Sequence, residues 1–179
     1  MPAADLYIVT GAPGSGKTAI LDHIGAGVRR VGEAAREVLA EQRSVDGVGT
    51  PDRDASLFLD LLLQRSIDMH VAAQRWEGSV VFDRGIPDCI AYAIMLGVDP
   101  KPSLLASQRH RYNNQVLLLE PWEEIYVVDD ERTMSFADTV PFHRALMDAY
   151  ERAGYSLVPV PHDSVDNRAA FLRDFIAHS

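Results

Sequence analysis

The string LYIVTGAPGSGKTAIL, residues 6 to 21, constrains the fold of this chain more than any other stretch. An apolar β-forming run, Leu6 to Val9, stops at a glycine loop, and an apolar-periodic segment, Thr18 to Ile24, follows it. The order is therefore strand, loop, helix. The loop completes the pattern G-x-x-x-x-G-K-[ST], with Gly11, Gly16, Lys17 and Thr18 in place and Ala12, Pro13, Gly14 and Ser15 between them. Its glycines let the backbone curl until successive N–H groups, from Gly14 to Thr18, point at phosphate oxygens, helped by the positive end of the helix. Lys17 is expected to bridge the β- and γ-phosphates of a nucleoside triphosphate, and the Thr18 hydroxyl to ligate Mg²⁺.

The rest of the chain repeats the strand–helix alternation. Val28 to Val31 reads as a second strand and Glu33 to Gln42 as a helix. SVDGVGTPDRD, 44 to 54, has the composition of a mobile surface loop. A long helical pattern covers Ala55 to Trp76, with Phe58, Leu61, Leu62, Met69, Ala72 and Trp76 as its expected apolar face. SVVF, 79 to 82, is a buried strand ending at Asp83, and Ile86 to Leu96 is helical with Pro87 in its first turn. Val116 to Leu119 supplies a fourth strand and Phe136 to Ala153 a helix. Ser156 to Val160 supplies the fifth strand, and Ser164 caps a last helix carrying Val165, Ala169, Leu172 and Ile176. Continuously apolar strands alternating with helices imply a parallel sheet covered on both faces. With 179 residues, 47% of them hydrophobic, the chain is expected to form a single domain over residues 1–179.

A magnesium ion at such a loop needs a carboxylate from an adjacent strand, and Asp83 is the candidate, binding directly or through water. Taken alone, Asp83 reads equally well as an ordinary strand-ending turn residue.

Charge and cysteine usage exclude several function classes. A formal net charge of −9 argues against a nucleic-acid surface, which is built from clustered Lys and Arg. Lys17 and Lys101 are the only lysines, so the positive charge is nearly all arginine, suited to bidentate contacts with phosphate or carboxylate. Cys89 is the only cysteine, which removes internal disulfides and cysteine-based zinc sites. The run LYIV is too short for a membrane span, and no basic leader precedes it, so the reading is a cytoplasmic protein without a membrane partner. The six histidines lack metal-ligand spacing and read as surface or cap residues. An N-K-x-D base-reading string is missing, which disfavours a GTPase.

FDRG, 82 to 85, resembles the signature that nucleoside, nucleoside-monophosphate and related metabolite kinases carry at the end of the third strand. GAPGSGKT, EAAREVL, FDRGIPDCIAY, LLLEPWEEIYVVDDERT and SVDNRAAFL together are similar to a group of small bacterial P-loop proteins, usually described as predicted ATPases or "AAA domain" proteins and related to ribosylnicotinamide kinase. The resemblance implies a three-layer α/β P-loop NTPase fold with a five-stranded parallel sheet in the kinase-like order 2-3-1-4-5. It makes Glu33 the expected general base toward an acceptor hydroxyl, and Arg84 and Arg36 the groups that orient the acceptor. It places Arg132, and more weakly Arg144, in a lid that neutralises the transferring phosphoryl group, and Pro159 to Asp163 against the nucleotide base. Glu33 reads equally as a carboxylate favoured at a helix start, and the arginines as surface ion pairs. Five acidic residues in the lid segment, Glu123, Glu124, Asp129, Asp130 and Glu131, leave room for a cationic or magnesium-bound acceptor.

The expected function is Mg²⁺-dependent binding of ATP and transfer of its γ-phosphoryl group to a small, nucleoside-like or nucleotide-like acceptor. Lys17, Glu33, Asp83, Arg84 and Arg132 are the catalytic candidates. The alternative is an ATP- or GTP-hydrolysing switch acting through a protein partner. A ring-forming remodelling motor is disfavoured, since one helix after strand five leaves no room for its helical lid domain.

Overall fold

The computed structural model describes residues 4–126 and 135–179. Along them run β1 Asp5–Gly11, α1 Lys17–Asp22, β2 Arg29–Val31, α2 Ala34–Ser44, α3 Ala55–Ala73, β3 Ser79–Asp83 and α4 Ile86–Met95. Then come α5 Lys101–Arg109, β4 Gln115–Leu119, a 3-10 turn Glu123–Ile125, α6 Phe136–Arg152, β5 Ser156–Pro159 and α7 Val165–Ala177.

Side-chain alternation explains why both sheet faces are covered. In β1, Leu6 and Ile8 belong to one core cluster while Tyr7 and Val9 belong to another. β3 repeats this with Val80 and Phe82 against Val81, and β4 with Val116 against Leu117 and Leu119. The first cluster packs on α4 and α6 through Ile86, Ile90, Phe142 and Leu146, and the second on α1 and α7 through Ile20, Leu21, Ala169 and Leu172. A third cluster joins α2 and α3 to α4 through Val38, Phe58, Leu62 and Cys89. The fold is α/β, with five parallel strands in the order β2-β3-β1-β4-β5. That order is the kinase-like one.

Register positions the site. Val9 of β1 lies opposite Asp83 of β3, and Gly11 lies opposite Leu119 of β4. The glycine loop therefore leaves the sheet at its carboxyl edge beside Asp83, where parallel α/β sheets bind ligands. Gly11 has φ +153, and a Cβ there would lie 2.4 Å from the Leu119 carbonyl oxygen. Gly11→Ala is expected to cost about 1–3 kcal/mol, the usual range for overpacking. A urea-unfolding midpoint equal to wild type would contradict this.

Two expectations need correction. The buried stripe of α3 is Phe58, Leu59, Leu62, Ser66, His70 and Ala73, whereas Ala72 is exposed and Leu61, Met69 and Trp76 are half-buried. Ser66 and His70 hide the stripe because they are polar residues with interior partners. The His70 ring meets Tyr112, with centroids 4.8 Å apart, and its Nε2 is 3.0 Å from the Arg111 carbonyl. His70 and His143 are thus buried, not surface residues. Helix α5 also carried no sequence signal, because its buried face is Ser103, Ala106 and Ser107. The loop at 44–54 is anchored by Gln42, whose Oε1 accepts from the Gly49 N–H at 2.9 Å. Among the described residues, no helix is long and apolar enough to cross a membrane.

Candidate functional site

The turn that ends β3 is built for one arginine. Arg84 has φ +71, a left-handed conformation that a non-glycine residue adopts only at a cost of order 1–3 kcal/mol. Its N–H donates to the Val9 carbonyl at 3.0 Å, tying the turn to β1. Gly85 follows because a Cβ there would meet Ile8 Cδ1 at 2.4 Å. The turn aims the buried Arg84 guanidinium at two carboxylates. Its Nε donates to Glu33 at 3.0 Å and one Nη to Asp88 at 2.9 Å. Asp88, in the first turn of α4, also accepts from Thr10 Oγ1 at 2.7 Å, from the Gly85 N–H at 2.9 Å and from the Tyr150 hydroxyl.

Glu33 sits just before α2 and accepts from Arg36 Nε at 3.1 Å as well as from Arg84. Burial would raise its carboxyl, but Arg84, Lys17 and Arg36 outweigh burial and hold it down at about 2. Lys17 is lowered to about 8, first by burial and then by Arg84, against the opposing pull of Asp83, Glu33 and Asp88. Burial pushes Asp83 upward, and its Oδ1 is enclosed without a hydrogen-bond partner.

The depressed Lys17 has a measurable consequence. In the free protein the amine is half deprotonated near pH 8, whereas phosphate oxygens beside it would favour its charged form. Triphosphate binding at pH 8 is therefore expected to take up about half a proton, and less as the pH falls toward 6. Calorimetry in buffers of different ionisation enthalpy reads this directly, and proton release at pH 8 would contradict it.

A cavity of about 830 Å³ collects most of these groups. Gly14, Gly16, Lys17 and Thr18 line one wall, and Glu33, Arg36 and Arg84 line another. Gly11, Ala12 and Ser15 are buried and do not line the cavity, and neither does Asp83, whose carboxylate is close enough to Lys17 for each to act on the other's charge. Arg132, with Asp129, Asp130 and Glu131, lies outside the described residues, and the exposed Arg144 does not line the cavity. Pro159 to Asp163 reaches the cavity through Asp163.

A hydroxyl and an unpartnered carboxylate oxygen form the hard-oxygen donor set that magnesium takes, so Thr18 and Asp83 fit a Mg²⁺ ion. Among the described residues no group of three or more His, Cys, Asp or Glu is placed to hold a metal. An ion here would thus depend on nucleotide oxygens and water for its remaining ligands.

Sequence reasoning missed three contributors. Arg168 of α7 is buried, donates to the Ser15 carbonyl at 3.0 Å, and holds its guanidinium carbon 5.4 Å from the Trp122 ring centroid. Trp122 in turn stacks on His162 with ring planes 2° apart and centroids at 4.6 Å. Asp88 is the third, and only its place four residues after Arg84 hinted at pairing.

The family described as AAA domain matches residues 6–168. The chain belongs to this AAA domain family. Sequence comparison with curated proteins gives no match. Among solved structures, the AAA domain chain is similar to a NadR protein in complex with NR, with TM-score 0.71 and 14% identity, over 96% of this chain and 49% of that one. A NadR protein in complex with NAD and AMP-PNP gives TM-score 0.73 at 13% identity, covering 98% and 50%. Thymidylate kinase from Ehrlichia chaffeensis gives TM-score 0.63 at 16% identity, over 98% of this chain and 100% of that one. The chain spans about half the length of the NadR proteins. At these identities the likeness establishes the fold alone.

Proposed function

We propose that this AAA domain protein binds Mg²⁺-ATP and transfers the γ-phosphoryl group to a small acceptor. The observation that carries the reading is the shared cavity. The phosphate loop and the Glu33–Arg84 pair open into one space of about 830 Å³, large enough for a triphosphate and a second small molecule.

Each residue then has a physical task. Backbone N–H groups from Gly14 to Thr18 hold the phosphates, and Lys17 supplies charge to the β- and γ-oxygens. Thr18 and Asp83 would hold Mg²⁺, which when bound neutralises charge on the β- and γ-phosphates. Glu33 orients an acceptor hydroxyl by accepting its hydrogen bond. With its carboxyl held near 2 it is always ionised and only weakly basic, so positioning outweighs proton abstraction. Arg84, buried and fixed by Asp88, faces charge developing on the transferring group. Trp122, Asp163 and Arg168 line the far side of the loop, a place for the nucleotide base, and Arg132 is assigned to the lid. The proposed setting is a cytoplasmic protein forming one domain, with no nucleic-acid partner.

The test is ADP release from Mg²⁺-ATP with and without nucleosides, nucleoside monophosphates, ribosylnicotinamide and amino sugars. One acceptor class raising the rate well above that in water supports transfer. An equal slow rate with every acceptor overturns it in favour of a hydrolysing switch that acts through a protein partner.

A further inference from the structure

We propose that the acceptor is an oxyanion, with its charged group held by Arg43 at the far end of α2 from the reacting centre. The word acceptor rests on the transfer reading above, but the subsite can be tested without it.

Helix α2 sorts its charges by face. Glu37 and Glu41 turn toward α3, where both pair with Arg65, at 2.8 and 2.6 Å. Arg36, Leu39, Ala40 and Arg43 line the cavity, and the spacing i, i+3, i+4, i+7 makes them a single stripe two turns long. Arg36, at the near end, is bound to Glu33. Arg43, at the far end, is exposed; its charge acts on Asp52, which does not line the cavity, but among the described residues no hydrogen bond or ion pair joins its guanidinium to a carboxylate. The helical rise places Arg43 about 15 Å along the axis from Glu33.

Charge and shape support the same assignment. The chain is acidic overall, at −9, yet among the described residues the cavity gathers Lys17, Arg36, Arg43, Arg84 and Arg168 against two carboxylates, Glu33 and Asp163. Glu33 is held by two arginines, and Asp163 lines the cavity together with Trp122 and Arg168. Leu39, Pro51, Phe58 and Tyr92 give the same cavity an apolar surface, with the last two rings edge-on at 6.3 Å. The matching molecule has a nucleophilic group at Glu33, a flat apolar body in the middle, and a phosphate monoester or carboxylate at Arg43. Of the five acidic residues in the lid segment, Glu123 and Glu124 do not line the cavity, and Asp129, Asp130 and Glu131 lie outside the described residues.

Minimal probes decide the point. Phenyl phosphate, benzoate and benzyl alcohol share a ring and differ in charge, and each would be titrated by ligand-observed NMR against protein saturated with Mg²⁺ and AMP-PNP. At least one anion is expected to bind about tenfold tighter than the alcohol, and whichever anion binds tighter identifies the oxyanion. Arg43→Gln should weaken that binding about tenfold, the effect of losing one charge-assisted contact. Arg30→Gln is the control, since Arg30 pairs with Asp22 at 2.8 Å away from the cavity. The inference is overturned if no probe binds, if the alcohol binds as well as both anions, or if Arg43→Gln changes nothing. Anion binding that depends on Arg43, in a protein that phosphorylates no acceptor, would keep the subsite and remove the transfer reading.

Discussion

Lys17→Ala is expected to reduce nucleotide-dependent turnover by about 10²–10³-fold while leaving the protein folded, because under the proposed function the substitution removes a preorganised charge from the position where phosphate charge would develop. The native amine is buried and lowered to about 8, so the fold already bears a cost for enclosing it. Removing it relieves that cost but also deprives Asp83 of an opposite charge, and the two effects oppose each other. Alanine at the start of α1 is the best helix former. A melting temperature close to wild type with lost ADP release is the expected pair of results. Turnover at the wild-type rate would remove the phosphate loop from the chemistry.

The second large effect is on stability. Asp88→Ala is expected to cost about 3–5 kcal/mol, the range for breaking a buried ion pair by removing one partner. Asp88 is 2% exposed, and its two oxygens take four hydrogen bonds, from Thr10, Arg84, Gly85 and Tyr150. Alanine would strand a buried guanidinium with Glu33 alone and leave the Gly85 N–H and two hydroxyls unsatisfied. Asp88→Asn keeps part of the network and should cost less than the alanine variant. Guanidinium unfolding of both variants reads the difference, and a loss below about 1 kcal/mol for alanine would show that water replaces the carboxylate.

The sequence made the phosphate-binding half of the site legible because a contiguous string encodes it. GAPGSGKT supplies its own turn chemistry, and SVVFD announces the neighbouring strand that brings Asp83 alongside. Strand order followed from the family resemblance, not from apolar patterning. Glu33 and Arg84 were read from resemblance too, and their direct contact is a tertiary fact, formed across 51 positions of sequence. Asp88, Trp122 and Arg168 were invisible for the same reason, since each has partners from distant elements. His70 and Ser66 misled the reading of α3, because a period of apolar residues cannot show a polar side chain satisfied inside.

The Arg168–Ser15 contact closes a span of 153 positions, and it orders events as the chain is made. The phosphate loop leaves the ribosome well before its brace, which follows it by 153 positions. A nascent chain lacking α7 would present the complete GAPGSGKT string without the guanidinium that holds its backbone. Nucleotide would then be captured only after α7 has emerged, and would act on an already folded sheet rather than as a template for it.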